Sequence, residues 1–263
     1  MRFGNKHGFS LMELAVLNGV GLLFTATLIP AITNAQREAH MNTVASQGKD
    51  IFVAIVRANT EREPLGLGDV WPKAQLEEKV ERWEQKRGNV IVMEDISTMT
   101  FQSSTSYFYE LLDGANIGNP RRWAPYVPGL DYSKLAGAGV PVKVGAGELR
   151  PENNMWCIAG NIRDEMEDVI PVLITRNVDC ASLYKDYDGK AQTPLRWSQK
   201  YNTPFSNEGF VMVRKGGAVF KCTAEHAVAH IVYMGQLGGS FKTTAEGHAP
   251  LVYLTPDSIV HPQ

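Results

Sequence analysis

Cysteine is scarce in this chain: there are three in 263 residues, Cys157, Cys180 and Cys222, with no C-x-x-C spacing. That arrangement excludes the paired thiolates of a structural zinc site. An excess of either charge is missing too. Twenty-six lysines and arginines stand against 28 acids, a net charge of −2, so there is no bulk electrostatic case for nucleic acid as a partner. No nucleophile elbow, P-loop or dinucleotide fingerprint occurs, and the serines and threonines have no histidine and aspartate at a spacing that would make a triad. Nothing in the sequence asks to be an enzyme.

Long apolar runs are absent with one exception, and that exception organises the chain. Arg2 and Lys6, with His7, form a short basic leader that ends at Gly8. From Phe9 to Ile32 the next 24 residues are predominantly apolar and hold one ionisable group, Glu13, with Asn18 and Pro30 as milder irregularities. The length suits a membrane span, which needs ~20 apolar residues. A carboxylate inside hydrocarbon costs ~2.5–3.5 kcal/mol at a helix centre, so Glu13 calls for a partner or a function. A secretory signal peptide cut near Thr33-Asn34-Ala35 would have too long an apolar region with an acid inside it. A plain signal anchor would leave Glu13 unexplained.

The motif G-F-S-L-M-E, Gly8 to Glu13, resembles the class III signal of type IV pilins and type II secretion pseudopilins. In that family a membrane-embedded prepilin peptidase cuts after the glycine, the new N-terminal residue is N-methylated, and the fifth mature residue is a glutamate. The resemblance therefore implies cleavage between Gly8 and Phe9, methylation of Phe9, and an assembly role for Glu13, the fifth residue after the cut. Pro30, the twenty-second, stands where many pilins carry a helix-kinking proline. The physical logic is that cleavage creates an amine in apolar surroundings, and Glu13 of a neighbouring subunit neutralises it. Leaving one partner of such a buried pair alone costs ~3–5 kcal/mol, which makes the pair a register device.

Further on, Met41, Val44, Gly48, Ile51, Phe52, Ile55 and Val56 recur at helical spacing, with polar residues between them. One helix is expected from Phe9 to about Asn59, ~75 Å long at 1.5 Å per residue, its first half apolar all round and its second amphipathic. Pro30 should loosen it locally. The breakers Glu63-Pro64-Leu65-Gly66-Leu67-Gly68 end it. A second helix is expected from Pro72 to Gly88 on the pattern Leu76, Val80, Trp83, with Glu78 and Arg82 one turn apart. Val90 to Met93 is a short edge-strand candidate. A third helix is expected over 104–113, with Tyr107, Phe108, Leu111 and Leu112 in the core and Gly114 as its stop. Residues 115–154 read as loop, and Arg121-Arg122-Trp123 within them as a solvated turn.

The last third reads as sheet: Trp156 to Ala159, Asp168 to Thr175 with Pro171 favouring an edge or a bulge, and a hairpin of Phe210 to Arg214 and Ala218 to Cys222 across Lys215-Gly216-Gly217. Leu251 to Leu254 is a further strand. Residues 224–234 fit helix or strand. On a helix His226 and His230 would share a face, but Glu225 is on the wrong side for H-E-x-x-H and no third ligand is evident, so packing or surface histidines are the preferred reading. Asp186-Tyr187-Asp188-Gly189 starts like a hard-cation loop but lacks the later EF-hand ligands. Some pseudopilins bind calcium in a loop late in the chain, so the resemblance makes Asp186 and Asp188 calcium candidates, while the residues alone suit a polar turn. No other cofactor is expected.

The expected fold is α+β and pilin-like: leader 1–8, transmembrane half-helix 9–32, amphipathic half 33–62, and an extracytoplasmic head 63–263 carrying an antiparallel sheet with loop insertions. The resemblance implies a structural subunit of a type II secretion pseudopilus, anchored in the inner membrane and then assembled with identical or homologous subunits, with prepilin peptidase and an inner-membrane assembly platform as partners. A type IV pilus subunit is the alternative within the family; a signal-anchored periplasmic enzyme or binding protein is the alternative outside it. In an extracytoplasmic head disulfides persist. Two of Cys157, Cys180 and Cys222 could bridge, or all three stay free, and the sequence does not choose.

Overall fold

The computed structural model describes residues 10–74, 96–116, 132–136, 149–185, 194–227 and 249–260. Its first element is the expected long helix, α1, Leu11–Arg62, with Pro30 inside it. The chain divides into two compact units, 1–39 and 40–263.

In the second unit α1 presents a buried stripe to a sheet. Met41, Val44, Ile51, Phe52 and Ile55 are buried as their spacing requires, and Ala54 and Ala58 join them. Val56, expected on that stripe, falls off it and is exposed. A 3-10 turn, Glu63–Leu65, closes the helix, and Gly66 caps it in the left-handed conformation (φ 67°).

The helix expected from Pro72 does not begin there. Lys73–Ala74 forms a short strand, β1, parallel to β2, Thr100–Phe101. Tertiary hydrogen bonds override the helical pattern. Asn161, itself left-handed (φ 61°), accepts from the Ala74 N–H through Oδ1 and donates its own N–H to Pro72 O, and Lys73 Nζ reaches Ser97 O. The rest of that expected helix and Val90 to Met93 lie outside the described residues, as do Arg121-Arg122-Trp123 and most of the expected loop.

Helix α2, Ser104–Asn116, starts where expected and passes through Gly114 rather than stopping at it. The Ser103 hydroxyl caps it by accepting from the Ser106 N–H. Tyr107, Phe108 and Leu111 are fully buried, and the Tyr107 hydroxyl donates to Val70 O. A short helix, α3, Tyr132–Ala136, interrupts the stretch read as loop.

The sheet has six strands, all pairs antiparallel: β3, Trp156–Gly160; β4, Pro171–Thr175; β5, Gly209–Arg214; β6, Val219–Thr223; β7, Val252–Leu254; and β8, Ile259–Val260, in the order β6-β5-β4-β3-β7-β8. The hairpin β5–β6 forms as expected, with Gly217 at φ 80° in its turn. β4 is an inner strand, so Pro171 is not at an edge. It opens the strand at a register irregularity between Pro171 and Leu173, the bulge that its missing N–H favours. One face of the sheet packs on α1, where Trp156 and Val213 close on Gly48, and Lys49 Nζ donates to Gly217 O. A one-turn helix, α4, Ser182–Lys185, follows β4. The architecture is α+β: a long N-terminal helix and a six-stranded antiparallel sheet.

Candidate functional site

The N-terminal segment is built by a local device that the sequence displays as S-x-x-E. Ser10 is the N-cap of α1 and Glu13 its third helical residue. The Glu13 N–H donates to Ser10 Oγ at 3.2 Å, and the Ser10 N–H donates to Glu13 Oε2 at 2.8 Å. This reciprocal capping box satisfies two backbone donors at the start of the helix. Ser10-Leu11-Met12-Glu13 displays it as a short-range pattern. Gly8 and Phe9 lie outside the described residues.

Behind the cap the helix surface is apolar and uncovered. Ten large apolar side chains between Leu11 and Ile32 are 47–87 % exposed, among them Leu11, Met12, Leu17, Leu22 and Ile29. At about 1–2 kcal/mol each, covering them is worth on the order of 10–20 kcal/mol. That equals or exceeds the net stability of a typical domain, so such a surface calls for a cover. Polar side chains in the run and just after it are partly silenced within the helix: Thr25 Oγ1 donates to Gly21 O and Leu22 O, and Thr33 Oγ1 to Ile29 O and Pro30 O. Among the described residues no helix is long and apolar enough to cross a membrane. The side chains of Leu23, Phe24 and Thr27, in the middle of the run, are outside that description.

The three cysteines are buried free thiols. Cys157 lies on β3 and Cys180 in the turn before α4, where the Cys180 thiol donates to Val178 O at 3.9 Å. Contact with Cys157 and burial push the Cys180 thiol well above the usual range. Cys222 lies on β6, opposite Phe210, and burial pushes it up to about 11 against the opposing pull of Arg214. Thiols so placed are inert toward ordinary reagents at neutral pH.

The calcium candidates Asp186 and Asp188 lie outside the described residues, as does His230. His226 closes a 3-10 turn, Ala224–His226, and its Nδ1 shares a hydrogen bond with Thr223 Oγ1 at 2.9 Å. The helix that would align it with His230 is not running there, because Ala227 leaves helical geometry (ψ 64°). Among the described residues no cluster of three or more His, Cys, Asp or Glu forms.

A polar cleft of about 1010 Å³, unremarked in the sequence, opens between Asp179, Arg196, Trp197, Tyr201 and Asn207. Asp257 accepts from both Lys200 and Tyr201 beside it. Burial raises the Tyr201 phenol. With this geometry in place, comparison with known proteins adds no relative: no protein-family model, no curated protein and no solved structure matches this chain.

Proposed function

We propose that this chain is the structural subunit of a pseudopilin-type filament serving protein export. It is made as a precursor and held in the inner membrane by residues 9–32. It is then cut after Gly8 by prepilin peptidase, methylated on Phe9, and drawn through an inner-membrane assembly platform into a helical filament with like subunits. The observation that carries this reading is the apolar, uncovered surface of α1 between Leu11 and Ile32, opened by a single acid. Lipid covers that surface first and neighbouring helices cover it afterwards. The unbroken sequence from Phe9 to Ile32, Leu23 and Phe24 included, reaches the ~20 residues that a span requires. Glu13 then has two tasks, capping its own helix and neutralising the new amine of a neighbour.

Three variants separate those tasks. Glu13→Gln keeps a residue suited to the capping box and removes the charge. Ser10→Ala removes the hydroxyl arm of the cap, at a cost of ~0.5–2 kcal/mol, and keeps the charge. Glu13→Ala removes the charge and the carboxylate arm of the box, and leaves Ser10 Oγ to accept from the N–H of residue 13. The proposal expects all three to be cleaved, Ser10→Ala to assemble, and both Glu13 variants to be missing from filaments sheared or purified from cells. If Glu13→Gln enters filaments at the parent level, the charge has no assembly role and capping is its whole function. A null strain that loses surface pili while exporting folded proteins normally would move the subunit from the secretion to the pilus branch.

A further inference from the structure

The polar cleft between Asp179 and Asn207 is ordered by the head's own hydrogen bonds. Its wall is an irregular segment, 196–207, tied to the turn after β4 along its length. The Arg196 N–H donates to Ser182 Oγ, and Arg196 O accepts from the Asp179 N–H. The Ser198 N–H donates to Asn177 O, and Ser198 Oγ accepts from the N–H groups of Lys200 and Tyr201. Arg176 Nε donates to Asn202 O, and Asn177 Nδ2 to Ser206 O, which holds Ser206 in a left-handed conformation (φ 50°) uncommon for its residue type. A wall ordered in advance lowers the entropic cost of binding.

The side chains along that wall restrict what the cleft can hold. They are mostly polar, which disfavours a lipid or another apolar ligand. Their charges cancel: Lys200 is paired with Asp257, which leaves Arg196 and Asp179, one of each sign. A strongly anionic ligand would require an excess of cations. Arg196 and the neutral side chains of Gln199, Ser206 and Asn207 are exposed and make no hydrogen bond among the described residues. Two half-buried aromatic rings stand among them. Trp197 is set by a backbone bridge to Val178 and an edge contact with Phe210, ring centroids 6.3 Å apart, and Tyr201 by its hydroxyl donating to Asp257. A fixed ring supplies a flat apolar platform, and amides and hydroxyls beside it supply both donors and acceptors. A sugar ring answers both demands without net charge, having apolar C–H faces and a rim of hydroxyls. The volume, about 1010 Å³, accommodates several such rings.

We propose that this cleft is a binding site for a neutral oligosaccharide, with one sugar ring against Trp197 and its hydroxyls bonded by Arg196, Gln199 and Asn207. The site does not depend on filament assembly, and its test needs no filament. The full chain, in a detergent without a sugar headgroup, is titrated calorimetrically with cellohexaose, maltohexaose and chitohexaose, and with inorganic phosphate as the charged comparison. At least one of the three sugars should bind below about 10 mM. Arg196→Ala should weaken that binding about tenfold and Asn207→Ala several-fold. Both should keep the parent's urea midpoint, since neither side chain bonds to the rest of the described head. Arg57→Ala, in an exposed pair with Glu61 on α1, should leave binding unchanged. Three silent sugars, binding of phosphate alone, or sugar binding that the Arg196 and Asn207 variants leave at the parent level would overturn the proposal.

Discussion

Replacing Gly48 by alanine sets two magnitudes against each other. In the interior of α1 the change relieves glycine's helical penalty, a gain of ~0.8–1 kcal/mol. Against it stands the sheet. A Cβ at Gly48 would lie 2.7 Å from Trp156 Cη2 and 3.0 Å from Val213 Cγ2. Neither neighbour is the loose end of a flexible side chain. Both are fully buried, and the indole is held by its Nε1 donating to Lys134 O at 3.2 Å. Overpacking of this kind costs ~1–3 kcal/mol, so the steric effect wins and the net loss should be about 1–2 kcal/mol. Gly19 and Gly21 supply the control, because a Cβ at either meets nothing within 4 Å. Their alanine variants should be neutral or stabilising by up to ~1 kcal/mol. Urea unfolding of the full chain in mild detergent, followed by tryptophan fluorescence, measures all three. A Gly48→Ala protein as stable as the parent would refute the close approach of helix and sheet on which the head is built.

Arg176→Met strips donors from four carbonyls, those of Pro151, Glu152, Asn154 and Asn202, and the variant should lose ~3 kcal/mol or more in the same unfolding assay. Arg176→Lys should restore only part of that loss, because an ammonium cannot reproduce the guanidinium fork. Cys222 gives a pH dependence with a definite sign. Its folded thiol holds its proton up to about 11 against an ordinary value of 9.0, so between those values the unfolded chain releases a proton that the folded chain keeps. Stability contributed by this group is therefore lost as pH rises through that window, by up to about 3 kcal/mol. Cys222→Ala should flatten that part of the stability–pH curve; an unchanged slope would contradict the burial of the thiol.

Local pattern carried much of this fold into the sequence. The stripe from Met41 to Ile55, the cluster Tyr107-Phe108-Leu111 and the β5–β6 hairpin are short-range signals, and each formed with boundaries within a few residues. What escaped was set by contacts between distant residues. Pro72 looked like a helix start, yet Asn161, 87 positions beyond Ala74, holds that backbone as strand. Two-residue strands such as β2 and β8 carry too little period to be seen. Gly114 reads as a stop, but α2 tolerates it. The reversal after β4 depends on Arg176 reaching the carbonyls of Pro151, Glu152, Asn154 and Asn202, which no spacing rule contains. Glu13 is the opposite case: its capping partner Ser10 is three residues away, a purely local signal.

The central claim concerns the N-terminus, and intact mass with N-terminal sequencing of protein purified from its native membranes tests it most directly. The account predicts a mature chain that begins with N-methylated Phe9, eight residues shorter than the precursor. A chain that retains Met1, or one that starts near Gln36, would contradict it and return the apolar segment to a plain anchor or a discarded signal peptide.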